Sequence, residues 1–336
     1  GYARAANAAP GTANFLIRRW ADFGHGPFRD IPAARDAIAQ LLPLPGGGLA
    51  FAAADPGWGR LAPDGSLAHS PRPPGGDFRN TAASLAASAD GQLLRLVLRS
   101  GGPTLLFNAQ ASQLARGPGE GLVTARTQAA GITVTDWQNR DRPRLNGQPL
   151  RLNEGEYSRS LAITPNDEGF LLGTDTYLRL YDRSGRLLDQ IATSGTVWGV
   201  VAVDGLAVAA LGDGTIRWYE TNGRLAERGA LFVHADAQRW VLWTPEGLFD
   251  HAAQGGQDLV GVHLNNGRAQ APEWASFQQA YRALFAPSAV RARLLGNTAL
   301  TMARMNDLGE VRSRIGRLPT LCLLYTSPSP RDRTRS

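Results

Sequence analysis

The sequence has 336 residues, 43% of them hydrophobic, which excludes a disordered chain and suffices for one large domain or two ordinary ones with a full core. Its formal charge of +6 does not point to nucleic acid: there is no lysine, so all 35 basic residues are arginine, and Ala, Gly, Pro and Arg are inflated together as GC-rich codons dictate. The arginines form no run and do not alternate with aromatics at stacking spacing, and no stretch of about 18 apolar residues is present to cross a membrane.

In chain order, Gly1–Pro10 lacks the charged start and apolar stretch of a secretion signal. The first strand-like run, "NFLIRRW", reads as the middle of a unit in a chain that begins within a longer protein, and an unpaired edge is expected from Leu16 to Trp20. The 39 glycines and 21 prolines punctuate short apolar runs as turn residues do, which favours many strands and few helices. Segments opening at Ala37 and Thr81 each give an apolar strand, a glycine-containing turn and a second strand. Ser158–Thr174 and Thr196–Gly212 follow the same plan more closely, and Arg239 opens the same way.

The strongest signal is an internal repeat. "TDTYLRLYDRSGRL" and "GDGTIRWYETNGRL" place Asp175 under Asp213, Leu178 under Ile216, Arg179 under Arg217, Tyr181 under Tyr219 and Asp182 under Glu220, an offset of 38 residues. Gly185-Arg186-Leu187 likewise falls under Gly223-Arg224-Leu225. The turns at Asp213-Gly214 and Asn222-Gly223 read as tight hairpins with both central positions at positive φ. Unit starts at Ala37, Thr81, Ser158, Thr196 and Arg239 lie 44, 77, 38 and 43 residues apart; the 77 holds either two units or one with a long insertion, and Gly131–Leu152 lies inside it.

A period near 40 with four short strands per unit predicts an all-β fold, a β-propeller. The expectation is an incomplete propeller of about five to six blades over residues 1–267, followed by short linker helices. The small residues of "VVAV" and "AVAAL" suit crowded inner strands, and Trp218 and Tyr219 suit the gap between neighbouring sheets. The order of the repeats resembles a WD-repeat propeller in degenerate form. The Trp-Asp dipeptide becomes Trp218-Tyr219-Glu220 and Tyr181-Asp182, and Gly-His occurs once, at Gly24-His25, so the Asp-His-Ser-Trp network of such repeats is expected to be mostly absent.

After Gly267 the period changes to 3.6. Trp274, Phe277, Tyr281 and Leu284 share one helical face, and a second helix begins at "SAVRARLL" after Pro287, so 268–321 reads as a helical linker toward a domain outside the sequence. From Cys322 to Asp332, "CLLYTSPSPRD" is a codon-for-codon translation of a transposase adapter used in sequencing libraries, and 322–336 reads as a non-native tail. Cys322, the one cysteine, has no nearby histidine to act as base, and no thiol chemistry is assigned to it.

The stretch from His234 to Gly267 resembles the closing segment of WD-repeat propellers in bacterial proteins that also carry a caspase-like peptidase domain. The resemblance rests on Trp240, Leu242, Trp243, Thr244, Pro245, Gly247, Asp250, Gly255, Gly256, Leu259, Gly261, His263 and Asn265, while Leu248, Phe249 and His251 to Gln254 depart from the pattern. It implies a regulatory or recognition module, with an in-cis caspase-like domain whose His base and Cys nucleophile lie outside this sequence.

No residue is assigned to catalysis, to a cofactor or to a metal. His25, His69, His234, His251 and His263 show no metal-ligand spacing, and His251 and Asp250, as strand neighbours, point to opposite faces. His263 is expected to satisfy a buried hydrogen bond. The closing-segment residues are expected to be structural, as are the repeat-turn residues Asp175, Asp213, Gly214 and Gly223; Asp64, Asp90, Asp167 and Asp204 also sit near turn glycines. Only "PNDEG", Pro165–Gly169, suggests a Ca²⁺ loop. The expected partner is a protein or peptide bound on a rim of loops, with no nucleic acid and no membrane span. The alternative is a propeller enzyme of oxidase, lactonase or glycosidase type, which would gather non-turn carboxylates or histidines at the channel mouth.

Overall fold

The structure, a computed structural model, describes residues 2–4, 15–34, 37–53, 57–69, 74–259, 261–264, 273–276, 281 and 284–303. Asn265, Phe277, Cys322 and the adapter-like tail lie outside the described residues.

Apolar runs separated by turn residues fold into antiparallel sheets of consecutive strands. Unit 1 is β1 (Tyr2–Arg4), β2 (Phe15–Asp22) and β3 (His25–Ala34). Unit 2 is β4 (Ile38–Pro43), β5 (Leu49–Ala53), β6 (Gly57–Leu61) and β7 (Leu67–His69). In unit 3, β8 (Ala86–Ala87), β9 (Leu93–Val97), β10 (Thr104–Asn108) and β11 (Gln113–Arg116) are joined by β12 (Val123–Thr124), which pairs with the free side of β8. Unit 4 is β13 (Gln128–Ala129), β14 (Ile132–Thr135), β15 (Arg144–Leu145) and β16 (Gln148–Pro149). The 77-residue interval between Thr81 and Ser158 thus holds two units rather than one with an insertion.

Unit 5 is β17 (Ser158–Ile163), β18 (Gly169–Thr174), β19 (Tyr177–Asp182) and β20 (Leu187–Ala192). Unit 6 is β21 (Val197–Val203), β22 (Leu206–Leu211), β23 (Thr215–Glu220), β24 (Ala226–Val233), β25 (Trp240–Trp243) and β26 (Phe249–His251). Here the structure departs from the expectation at Arg239. The hairpin it begins opens no new sheet but extends unit 6, with Ala230 opposite Trp243 and Val233 opposite Trp240. The outer strand β24 offers an open edge, and the next apolar run takes it up.

The sheets bury their faces against one another in series. Units 4 and 5 share a core of Ile132, Val134, Leu145, Leu161, Phe170 and Leu172. Units 5 and 6 share one around Leu171, Leu178, Val200, Ala209 and Tyr219. The other face of unit 6 packs on unit 3, where Trp218, Val208 and Leu242 meet Leu94, Leu96 and Phe107. The units therefore stack in the order 4, 5, 6, 3, sheet face against sheet face as the blades of a propeller do. Units 1 and 2 pack on each other around Ile17, Ile31, Ile38, Phe51 and Leu61.

Three further expectations are corrected. Of the edge expected from Leu16 to Trp20, Leu16 and Ile17 pair with β1 as well as β3, while among the described residues Arg18–Trp20 pair with β3 alone. The hairpin turns are not the two-residue kind: Gly214 (φ 85°) and Gly223 (φ 75°) have positive φ, while Asp213 and Asn222 do not. The N–H of Gly214 bonds the carbonyl of Leu211, a longer turn in which only the final glycine must be left-handed. Lastly, Glu273–Ser276, read as helix within the 268–321 linker, forms strand β28 paired with β27 (Gly261–Leu264) across the expected boundary at 267. Ladder bonds to a neighbouring strand outweigh local helical periodicity there. Among the described residues of that helix, Tyr281 and Leu284 are helical, and the helix expected after Pro287 is present as α1 (Pro287–Leu294).

Candidate functional site

The recurring acids are spent on turns. Asp64, Asp90, Asp182, Asp213 and Asp236 each accept the backbone N–H two residues ahead, at 2.8 to 3.1 Å. This side-chain turn pre-shapes the loop between strands. Hydrogen bonds from the Ser184 hydroxyl and the backbone hold the Asp182 carboxyl down at about 2, against burial. In "PNDEG", Asp167 pairs with Arg126 and Glu168 accepts from Asn166, so the loop's carboxylates diverge to separate partners. Among the described residues no group of three His, Cys, Asp or Glu converges as metal ligands.

Arginines aligned by the repeat centre two further networks. In unit 5, Arg179 and Glu156 form a buried pair, each 3% exposed, through Nε–Oε1 (3.1 Å) and Nη2–Oε2 (2.6 Å). Arg179 also donates to Gln190 at 2.6 Å, and the Thr174 hydroxyl donates to Glu156. Burial raises the Glu156 carboxyl, but the bonds from Arg179 and Thr174 outweigh it and hold it below the usual carboxylate range. In unit 6, 38 residues on, Arg217 pairs with Asp213 (3.1 Å) and Glu227 (2.9 Å), and Ser194 donates to Asp213. The acid has changed place: Ser194 stands where the offset puts Glu156, and the turn acid Asp213 serves the arginine. Asp175, the unit 5 counterpart of Asp213, instead accepts from Arg159 (2.6 Å) and from the N–H of Tyr157 (3.2 Å).

The closing-segment residues build a seat for α1. Thr244, Pro245 and Gly247 (φ 94°) form the β25–β26 turn, closed by Gly247 N–H to Thr244 O at 2.9 Å and Thr244 N–H to Leu248 O at 2.8 Å. Trp240 packs edge-on against Phe107 of unit 3, ring centres 5.0 Å apart, and Trp243 packs beside Phe249, Tyr281 and Phe285. A Cβ at Gly256 would come within 2.8 Å of His251 Cβ and 3.0 Å of the Trp240 carbonyl, so only glycine allows that approach; Gly255 has φ 71°. Asp250, 3% exposed, accepts from the Ser112 hydroxyl of the β10–β11 turn, and Arg291 of α1 donates to Ser112 at 3.0 Å. Arg293 donates to Glu246 (3.2 Å) and to the Glu227 carbonyl (3.1 Å), and Arg228 caps the Leu294 carbonyl at 3.1 Å. His251 turns away from Asp250's carboxylate partners, toward Tyr281 Oη at 3.0 Å. Gly261 lies in β27; the His263 side chain and Asn265 lie outside the described residues.

A third cluster sits where the inner strands of units 5 and 6 begin. Arg159 lies between the rings of Tyr157 and Trp198, its guanidinium carbon 5.5 and 5.4 Å from their centres. Asp175 accepts from its Nε and Asn139, in the β14–β15 loop, from its Nη1 at 2.7 Å. The sequence reading missed all the arginines that matter here. The offset of 38 was a signal for Arg179 and Arg217; nothing local marks Ser112, Arg291 or Arg293, because their partners are remote in sequence.

No protein-family model matches the chain and no curated protein is similar to it. Solved structures similar to it include the computationally designed Ika8 protein, at 16% identity over 68% of this chain and 77% of that one, with a TM-score of 0.27. The C-terminal WD40 domain of Sif2 is similar at 9% identity over 64% and 68%, TM-score 0.26. The Cps50 (Swd1) β-propeller domain of Myceliophteria thermophila is similar at 13% identity over 62% and 83%, TM-score 0.24. At these identities and scores the likenesses add nothing to the sheet topology and face-to-face packing, on which the fold rests.

Proposed function

We propose that this chain is a non-catalytic propeller module that recognises a protein or peptide, and that it regulates or targets a caspase-like peptidase domain of the same polypeptide. The observation that carries the first half is the division of labour among its polar groups. The acids that recur from unit to unit hold turns and arginines in place, whereas the Tyr157–Arg159–Trp198 cluster is partly open to solvent, with Tyr157 41% exposed. The second half rests on the closing segment, whose resemblance is to caspase-associated propellers and whose residues here anchor the outgoing helix α1. A module so anchored transmits its position to whatever follows.

The test is the sequence of the gene read at greater length. It should encode, in the same frame after Leu321, a domain with a histidine and a downstream cysteine, and this chain by itself should hydrolyse no peptide before or after Cys322→Ala. A homologous gene that continues into an unrelated domain, or Cys322-dependent peptidase activity of this polypeptide, would overturn the assignment.

A further inference from the structure

The inner strands of units 5 and 6 each carry a β-bulge near their start, displaced by one residue relative to the repeat. The register steps between Ser158 and Ser160 in one and between Val197 and Gly199 in the other, leaving Arg159 and Trp198 as the extra residues. A bulge leaves one residue out of the ladder and re-aims its side chain, and bulges gather beside functional sites. Here the two re-aimed side chains meet, and the assembly draws on three units: Asn139 from unit 4, Tyr157, Arg159 and Asp175 from unit 5, Trp198 from unit 6.

Two of the groups that the cluster leaves unspent are donors. Nε and Nη1 of Arg159 are engaged, but Nη2 donates to no protein acceptor among the described residues, and neither does Nε1–H of Trp198. The Asp175 charge is already paired with Arg159, and the same guanidinium lies over both rings, so a positively charged ligand would meet a like charge here. The side chain of Arg159 is 22% exposed, fixed in place and open on one edge. A guanidinium fixed in this way loses little further freedom on binding an oxygen pair.

We infer that Arg159 and Trp198 bind a carboxylate of a polypeptide, with Tyr157 as the apolar wall beside it. This deepens the recognition reading and rests on it. The carboxylate belongs to an Asp or Glu side chain or to the free C-terminus of the bound peptide.

The test titrates the full-length protein with fluorescein-labelled decapeptides at low salt. One alternates Gly and Asp with an amidated C-terminus; a second alternates Gly and Asn with a free C-terminus; a third alternates Gly and phosphoserine, amidated. One of the first two should bind, which also identifies the source of the carboxylate. Arg159→Lys, which keeps the charge and loses the fork, should weaken binding about tenfold. Trp198→Phe, which keeps the ring and loses the N–H, should weaken it about threefold to fivefold. Arg144→Gln, at an exposed arginine of unit 4, should leave it unchanged. If Arg159→Lys does not fold, Trp198→Phe and Asn139→Ala carry the test. Acidic binding that ignores these substitutions, binding of the phosphoserine peptide alone, or binding of none of the three overturns the site. An array of peptides of mixed composition separates the two readings: Arg159-independent binding of any of them leaves recognition standing, and no binding at all removes both.

Discussion

Units 2 and 6 are built on the same four-strand meander, yet they differ in what covers them. All six residues of β22 are buried, whereas β4 buries only Ile38 fully and β7 is exposed throughout. Unit 6 has unit 5 on one face and unit 3 on the other; unit 2 shares a core with unit 1 alone. The difference is written in composition. A strand covered on both faces reads as an unbroken apolar run, "LAVAAL", and a strand covered on one face alternates, as Trp58, Gly59, Arg60 and Leu61 do in β6.

The sharpest way to break the comparison is to cut the same residue type from both units. Trp218, 1% exposed, bridges unit 6 to unit 3 through its indole N–H and the Gly91 carbonyl at 2.7 Å. Trp218→Ala should destabilise by about 3–5 kcal/mol in urea titration, at the upper end because the carbonyl loses its donor. Next in size is the buried pair. Glu156→Leu leaves Arg179 charged and unpaired in the core of unit 5 and should destabilise by about 3–5 kcal/mol, while the double replacement of both residues by Leu should recover most of that; if the double variant is no better than the single, the pair is not the reason.

A smaller effect is expected where α1 meets unit 6. Arg293→Ala removes the bonds to Glu246 and the Glu227 carbonyl and should lower stability by about 1 kcal/mol, with faster hydrogen exchange confined to 287–295. Acid should act on the turns. Asp182 titrates at about 2 in the fold against 3.8 ordinarily, so its contribution is complete above 3.8 and is lost as pH falls through about 2. Asp182→Asn should therefore flatten the acid limb of the stability profile, and an unchanged limb would count against the Ser184 hydrogen bonds as its cause. The smallest change belongs to unit 2: Trp58, 55% exposed beside His69, should tolerate Ala within about 0.5 kcal/mol. A loss like that of Trp218 would mean that this face of unit 2 is covered in solution.

The residues alone determined the repeat, its strands and the place of its turns, because a period of two and turn-forming Asp and Gly are local properties. They separated Trp218 and Tyr219, as residues between sheets, from the exposed hairpin positions, because apolar density along a strand reports how many of its faces are covered. Tertiary structure alone decided that Arg239 extends a sheet instead of opening one, that Glu273–Ser276 is a strand, and that Asp250 reaches Ser112 and Arg291. It also decided the Arg159–Trp198 meeting. Those two lie 39 residues apart rather than at the repeat's 38, and they face each other only because a bulge in each inner strand turns them out of the ladder. Edge pairing and bulge geometry depend on which strands lie alongside, and that is a property of the assembled sheets that no window of the sequence contains.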